Sequence, residues 1–117
     1  MPFLSSAGRV ALLAAVAAPA AVYPPQAAVA AAPAKVQKVA IDNFAFSPQV
    51  IVVSPGTTVT WTNGDDDPHT VVANDKSFHS AAMDTDESYS FTFTRPGEYA
   101  YFCSLHPHMT GKVVVRG

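Results

Sequence analysis

Cysteine is nearly absent from this sequence, which holds one, Cys103, among 117 residues. A single thiol cannot close a disulfide within its own chain, so the sequence is not that of a small disulfide-stapled domain. Charge is also scarce, since seven Lys and Arg residues against nine Asp and Glu residues give a formal net charge of −2. Without a basic excess, the composition gives no indication of a nucleic-acid partner.

A long uninterrupted apolar run is missing as well. The apolar residues 10–22 are rich in Ala and Val, but Pro19 interrupts them and they fall short of the roughly 20 residues that span a bilayer. Arg9 precedes this stretch, and a small-residue cleavage pattern ends at Ala34. These features are typical of a secretory signal peptide. We therefore predict that residues 1–34 direct export to the periplasm and are cleaved, leaving no membrane anchor.

No convincing helical pattern occurs in residues 35–117, where short alternating stretches are separated by turn-forming residues. In "TTVTWT", Val59 and Trp61 share one face and threonines the other, which is typical of a half-buried strand. The segments "SPGT" at 54–57 and "RPGE" at 95–98 favour type II turns. Evenly spaced strands with such turns predict an all-β sandwich of about seven strands. The predicted strands are residues 38–41, 50–53, 57–62, 69–73, 88–94, 98–103 and 111–115.

Metal-binding side chains concentrate in one segment, "CSLHPHM", which contains Cys103, His106 and Met109 at intervals of three residues. Thiolate, imidazole and thioether groups select copper, zinc or iron–sulfur clusters. The segment follows the sixth predicted strand, and His69 begins the fourth. Because loops at one end of a sandwich converge, His69 can join the three donors without an unusual chain path.

The order and spacing of these donors resemble those of the type 1 blue copper proteins, or cupredoxins. The spacing C-x2-H-x2-M and the upstream "PHTV" are most similar to the amicyanin and plastocyanin-like group, and the similarity continues through "NFAFSPQVIVVSPGTTVTWTN" and "FTFTRPGEYAYFC". The resemblance implies a Greek-key β-sandwich over residues 35–117 that binds one copper ion. It implies His69, Cys103 and His106 as the trigonal ligands and Met109 as the weak axial ligand.

The same resemblance implies a small periplasmic protein that shuttles single electrons between a donor and an acceptor redox protein. A site with two His, one Cys and a distant Met suits both Cu(I) and Cu(II), and four protein ligands leave no open position for a substrate. We therefore expect a monomeric electron carrier and not an enzyme. The electron is expected to pass through the outward edge of His106, within an apolar patch of Leu105, Pro107 and Met109.

Two other functions are compatible with the same donors. A copper chaperone or storage module would carry copper without redox turnover, and a structural zinc domain can also use two His and one Cys. Considered on its own, Cys103 is also compatible with a small buried core residue. Met109 is likewise compatible with a residue that only packs against its neighbours.

Two further histidines compete for the ligand positions. His79 lies in a predicted loop, whereas His69 opens a predicted strand within "PHTV", so we favour His69. His108 competes with His106, but choosing His108 would place Met109 directly beside the ligand and leave no room for an axial approach. We interpret His108 as an exposed residue near the metal.

The surroundings of the ligands can also be anticipated by analogy with such sites. The N–H of Thr70, which follows His69, is expected to donate to the sulfur of Cys103. Asn63 is a candidate for connecting the two ligand-bearing loops. The three Asp residues at 65–67 are most simply a solvated acidic turn.

Overall fold

The computed structural model describes residues 35–117, and this part of the chain folds into eight strands arranged in two four-stranded sheets. The predicted all-β sandwich is confirmed, with eight strands in place of about seven, and the predicted signal peptide lies outside the described residues. Nowhere in the described range does a helix occur with the length and apolar character needed to span a bilayer. The strands are β1 (Val36–Asp42), β2 (Ala45–Ser47), β3 (Val50–Val53), β4 (Thr57–Asn63), β5 (Val72–Ala73), β6 (Ser88–Phe93), β7 (Gly97–Phe102) and β8 (Thr110–Val115).

The two sheets have the strand orders β2-β1-β4-β6 and β3-β8-β7-β5. Strand β1 pairs in parallel with β4, and β3 pairs in parallel with β8, while the other neighbours are antiparallel. Strands β7 and β8 form an antiparallel hairpin in the middle of the second sheet. The donor-rich segment 103–109 is the connection of this hairpin, so two central strands support it.

Strand β5 is much shorter than the predicted strand 69–73. His69 pairs with Met83 through an isolated bridge instead of beginning a strand. The N–H of Thr70 donates to the sulfur of Cys103, and the N–H of Val71 donates to the Ser80 hydroxyl. Because these two N–H groups donate to side chains and not to a neighbouring strand, regular strand pairing begins only at Val72.

Strand β2 was not predicted, because its three residues are too few to show a periodic pattern. Of the two predicted type II turns, that at 54–57 is confirmed by a φ of +90° at Gly56 and a 3.2 Å hydrogen bond from the Thr57 N–H to the Ser54 carbonyl. The prediction for 95–98 was wrong. Gly97 has a φ of +153°, far from the +80° or so of a type II turn, and already belongs to β7.

The core is centred on Trp61, which is fully buried between the sheets. The predicted shared face of Val59 and Trp61 points inward, since both are fully buried, and Phe93 and Tyr101 are each 1 % exposed. Tyr101 packs edge-on against Trp61 with ring centroids 5.4 Å apart. Such aromatic pairs add stabilisation beyond burial alone. Cys103 follows β7 two residues after Tyr101 and is itself fully buried, so the donor-rich segment begins at the edge of this core.

Candidate metal centre

The loop that carries His69 is held by the side chain of Asn63, the last residue of β4. Asn63 Nδ2 donates to the carbonyls of Asp67 and Met83, each at 2.9 Å. Its Oδ1 accepts the N–H of Asp65 at 2.9 Å. The expected connection from Asn63 to the second donor-bearing loop is not formed, because these three bonds keep the amide within the His69 side of the site. The result is a fixed path for the backbone into His69.

The segment 103–109 is a tight connection closed by backbone hydrogen bonds. The Cys103 N–H donates to the Met109 carbonyl at 3.1 Å, directly beyond the last paired residues of β7 and β8. Inside it, the His106 N–H donates to the Cys103 carbonyl at 3.3 Å and the Met109 N–H to the His106 carbonyl at 2.9 Å. Two successive turns therefore bring Cys103, His106 and Met109 close together although the segment is short.

Three predicted donors meet in one cluster. The Sγ atom of Cys103 lies 3.7 Å from Nδ1 of His69 and 3.8 Å from Nδ1 of His106. All three donor atoms lie within 4.8 Å of one another. With metal bonds of about 2.0–2.1 Å to nitrogen and about 2.3 Å to sulfur, the two sulfur–nitrogen distances correspond to sulfur–metal–nitrogen angles of about 120° at one shared ion. The cluster therefore has the dimensions of a metal site with one sulfur and two nitrogen ligands.

The thiol of Cys103 is prepared for ionisation. Burial acts to raise its pKa, but hydrogen bonds from the Thr70 N–H, the His106 and His69 rings and the Thr70 hydroxyl outweigh burial and lower the pKa from 9.0 to about 6. The predicted bond from the Thr70 N–H to the sulfur is confirmed at 3.3 Å. Because the thiolate is the form that binds metals, the site presents its sulfur in the required state at neutral pH.

The two donor-bearing loops are connected by Thr70 and Ser104. The Ser104 N–H donates to the Thr70 hydroxyl oxygen at 2.7 Å, and the two hydroxyl groups lie 2.8 Å apart. The Thr70 hydroxyl also lies 3.8 Å from the sulfur of Cys103. The connecting role that the sequence suggested for Asn63 thus belongs to Thr70.

The remaining candidates lie in different surroundings. Met109 is 5 % exposed at the base of the loop, so its side chain points inward and is not part of the surface patch expected beside His106. His79 and His108 are both exposed and are not members of the donor cluster found within residues 35–117. The preference for His69 and His106 over these two residues therefore agrees with the geometry.

Asp65 contributes to the site in a way that the sequence pattern did not predict. Its Oδ2 lies 2.8 Å from Nε2 of His69, and its carboxylate also accepts backbone hydrogen bonds from Asn43 and Phe44. Partial burial acts to raise the pKa of Asp65, but these hydrogen bonds lower it below the ordinary value of 3.8. The group is thus an ionised acceptor, and Nε2 of His69 carries the proton. Of the three Asp residues at 65–67, only Asp66 and Asp67 are exposed to solvent.

Phe44 is a second participant that local sequence pattern did not indicate. Its ring centroid lies 5.3 Å from that of His69 and 5.1 Å from that of His106. In the sequence, Phe44 stands in "NF" between two apolar segments. This position suggests a turn but gives no information about a contact with residues more than twenty positions away.

Comparisons with known proteins agree with this site. Residues 33–116 match the family of copper binding proteins described as the plastocyanin/azurin family. The chain is 36 % identical over 93 residues to an amicyanin of Paracoccus versutus, covering 75 % of this chain and 70 % of that protein. A solved structure of a reduced amicyanin variant superposes with a TM-score of 0.65 at 37 % identity, covering 69 % of this chain and 82 % of the other. A copper-containing nitrite reductase from Thermus scotoductus gives a TM-score of 0.66 at 33 % identity, over 69 % of this chain but 22 % of the enzyme.

Proposed function

The chain belongs to the plastocyanin/azurin family of copper binding proteins, and from this membership we propose that residues 35–117 form a type 1 copper domain that carries single electrons between redox proteins. The proposed ligands are His69, Cys103, His106 and Met109. The observation that carries the proposal is the approach of two imidazole nitrogens to one thiol sulfur at 3.7 and 3.8 Å. A plane of two His and one Cys with a distant Met is the donor set of electron-transfer copper sites.

Bound copper supplies a one-electron couple between Cu(I) and Cu(II), and the protein side chains set its surroundings. Thr70 holds the sulfur of Cys103 through its N–H, and Asp65 holds His69 through Nε2. Because these donors are fixed before any metal enters, little has to move when the charge of the site changes. Four protein ligands also leave no position for a substrate, which supports a carrier over an enzyme. The likeness to nitrite reductase concerns 22 % of that enzyme and carries no catalytic assignment.

The proposed electron route runs through His106. This residue is partly exposed, while His69 is fully buried, so His106 is the imidazole that a partner can reach. Leu105 is 49 % exposed and Phe44 46 % exposed, and Pro107 is exposed beside them. The apolar patch around His106 thus comprises Leu105, Pro107 and Phe44, with Phe44 in the place that the sequence suggested for Met109.

A small apolar patch suits brief encounters with a donor and an acceptor redox protein. Transient redox complexes bury less than about 1,200 Å² in total, and three side chains around one imidazole match the centre of such an interface. A small interface also releases its partner quickly, as a shuttle requires. We propose that the domain acts as a monomer in these encounters.

The N-terminal segment is proposed to direct export. Residues 1–34 are proposed to be a cleaved signal peptide that places the domain in the periplasm. The start of the family match at residue 33 supports a boundary at this point. The mass of the protein recovered from the periplasm tests this boundary, since cleavage after Ala34 leaves a chain that begins at Lys35.

Adding Cu(II) to the purified metal-free domain tests the function. An intense blue band followed by reversible one-electron voltammetry is the expected result, because copper–thiolate covalency produces such colour. A colourless complex would favour a zinc site, and a blue complex without reversible voltammetry would favour a copper chaperone or storage module.

A further inference from the structure

The two-residue turn between β1 and β2 has an unusual conformation for its sequence. Asn43 and Phe44 have φ values of +51° and +57°. Turns with positive φ at both central residues are usually built from Asn followed by Gly. A bulky residue such as Phe is strained in this region, so Phe44 keeps its conformation only because other contacts fix it.

The contacts that fix the turn come from the carboxylate of Asp65. Its Oδ1 accepts the N–H of Asn43 at 2.7 Å, and its Oδ2 accepts the N–H of Phe44 at 2.9 Å. The same Oδ2 accepts the Nε2–H of His69 at 2.8 Å. One carboxylate therefore connects a strained turn in one loop to the buried imidazole of another.

The ring of Phe44 meets both imidazoles of the donor cluster. It stands at 90° to the ring of His69 and at 77° to that of His106, with centroids 5.3 and 5.1 Å away. Edge-to-face contacts at such distances are favourable. Gly at this position would adopt the turn without strain, but it would leave the two imidazoles without this cover.

We propose that Asp65 is a positioning residue for the metal centre and that Phe44 is a cap that Asp65 holds over its two histidines. This inference rests on the proposed copper-binding function. Asp65 accepts the Nε2–H of His69, which leaves Nδ1 as the ring nitrogen that faces the sulfur of Cys103. A carboxylate on the outer nitrogen of a ligating His fixes its tautomer and ring orientation and raises its basicity.

Asp65→Asn tests the positioning role, with Asp66→Asn as the matched control. Both changes remove one negative charge from the same loop, but Asp66 is exposed and Asp65 binds His69. An amide cannot accept all three hydrogen bonds because its nitrogen donates. We expect the dissociation constant of Cu(II) to rise about 10- to 100-fold in Asp65→Asn, with a clearly smaller change in Asp66→Asn. Equal changes in the two variants would overturn the positioning role.

NMR of the ring nitrogens of His69 gives a second readout that needs no metal. The metal-free protein is expected to show a protonated Nε2 whose hydrogen exchanges slowly with water in the wild type and in Asp66→Asn. In Asp65→Asn this protection should be lost. A wild-type protein that stayed colourless with Cu(II) but showed the Asp65-dependent ring proton would contradict the proposed function and still support the positioning of His69. A ring proton indifferent to Asp65 would overturn the inference itself.

Phe44→Gly tests the cap, with Asn43→Gly as the matched control. Each change relieves strain at one residue of the turn, but only Phe44→Gly removes the ring from the imidazoles. Phe44→Gly should fold at least as stably as the wild type, exchange the His69 ring proton faster, and lower the reduction potential. The potential falls because water admitted to the site favours the more highly charged oxidised state. If Phe44→Gly matched Asn43→Gly in potential and exchange, the cap would be refuted.

Discussion

His69 and His106 stand at nearly the same distance from the sulfur of Cys103, 3.7 and 3.8 Å, yet their surroundings differ. His69 is fully buried, its Nε2 is bonded to Asp65, and its backbone is paired with Met83 in both directions. His106 is partly exposed and belongs to a short connection closed by its own backbone bonds.

The two histidines therefore have different roles in the site. The buried imidazole is oriented by contacts from several parts of the sandwich, so it defines where the metal is held. The exposed imidazole is contacted by its own loop and by the Phe44 ring but is not buried, so its outer edge can meet a partner. A site for electron transfer needs both properties, because a rigid centre limits rearrangement and an exposed edge limits the distance to the partner.

Replacing the Cys103 sulfur, which both histidines approach, should abolish the metal site. In Cys103→Ser we expect no blue band with Cu(II), because the hydroxyl cannot replace the thiolate in copper–sulfur covalency. Copper should also fail to raise the melting temperature, whereas a ligand at 100 times its dissociation constant stabilises a protein by about 2.7 kcal/mol. Absorption and thermal unfolding with and without copper check both points. A blue Cys103→Ser protein would refute the ligand assignment.

The two histidines should respond differently to removal and replacement by free imidazole. His69→Gly leaves a buried hole and removes one of the three hydrogen bonds to the Asp65 carboxylate, so we expect a loss of about 2–4 kcal/mol in unfolding free energy. His106→Gly should cost less than about 1 kcal/mol, because the side chain is partly exposed. Added imidazole should restore the blue colour of the copper-loaded His106→Gly protein but not that of His69→Gly, because only the first gap opens to solvent.

Exposed histidines outside the donor cluster provide the control for this pair. His79→Ala and His108→Ala should retain the colour and unfold within about 0.5 kcal/mol of the wild type. Equal rescue of His69→Gly and His106→Gly by imidazole would show that the two sites do not differ in access.

The stability of the metal-free domain should depend on pH through the sulfur that both histidines approach. The folded pKa of Cys103, about 6, lies below its ordinary value of 9.0. A lowered pKa means that the folded state favours the thiolate, so this contribution is complete above pH 9 and is lost as the pH falls from 9 to 6. The melting temperature of the metal-free wild type should therefore rise between pH 6 and 9 relative to Cys103→Ser. Parallel curves for the two proteins would contradict the lowered pKa.

The connection between the two donor-bearing loops is tested by removing a single hydroxyl group. Thr70→Val removes the hydroxyl that accepts the Ser104 N–H but keeps the backbone bond to Cys103. We expect a loss of about 1–3 kcal/mol, because a donor is left without its partner. Thr70→Ser keeps the hydroxyl and should remain close to the wild type. Chemical denaturation measures both variants, and a similar loss in Thr70→Ser would assign the effect to the missing methyl group.

Much of the fold and of the donor cluster could be predicted because it rests on local patterns. Alternation placed Val59 and Trp61 on one buried face, and donor spacing with the "PHTV" segment selected His69 over His79. Assignment of Met109 as a fourth ligand stays a prediction. The contacts of Asp65 with Asn43 and Phe44 join residues 22 and 21 positions apart, and no local periodicity encodes them. Strand β5 was overestimated because Thr70 and Val71 give their N–H groups to side chains, which a pattern of apolar residues does not reveal.

The hydrogen bond from the Cys103 N–H to the Met109 carbonyl has a consequence for how such a chain can evolve. It closes the hairpin below the connection, where Phe102 already pairs with Thr110. Insertion or deletion within 104–108 therefore leaves the inward and outward faces of β7 and β8 unchanged, since the register is set beneath it. We therefore expect this connection to tolerate changes of length. Mutation can lengthen or shorten it, and so retune the redox centre, while the sandwich below continues to fold as before.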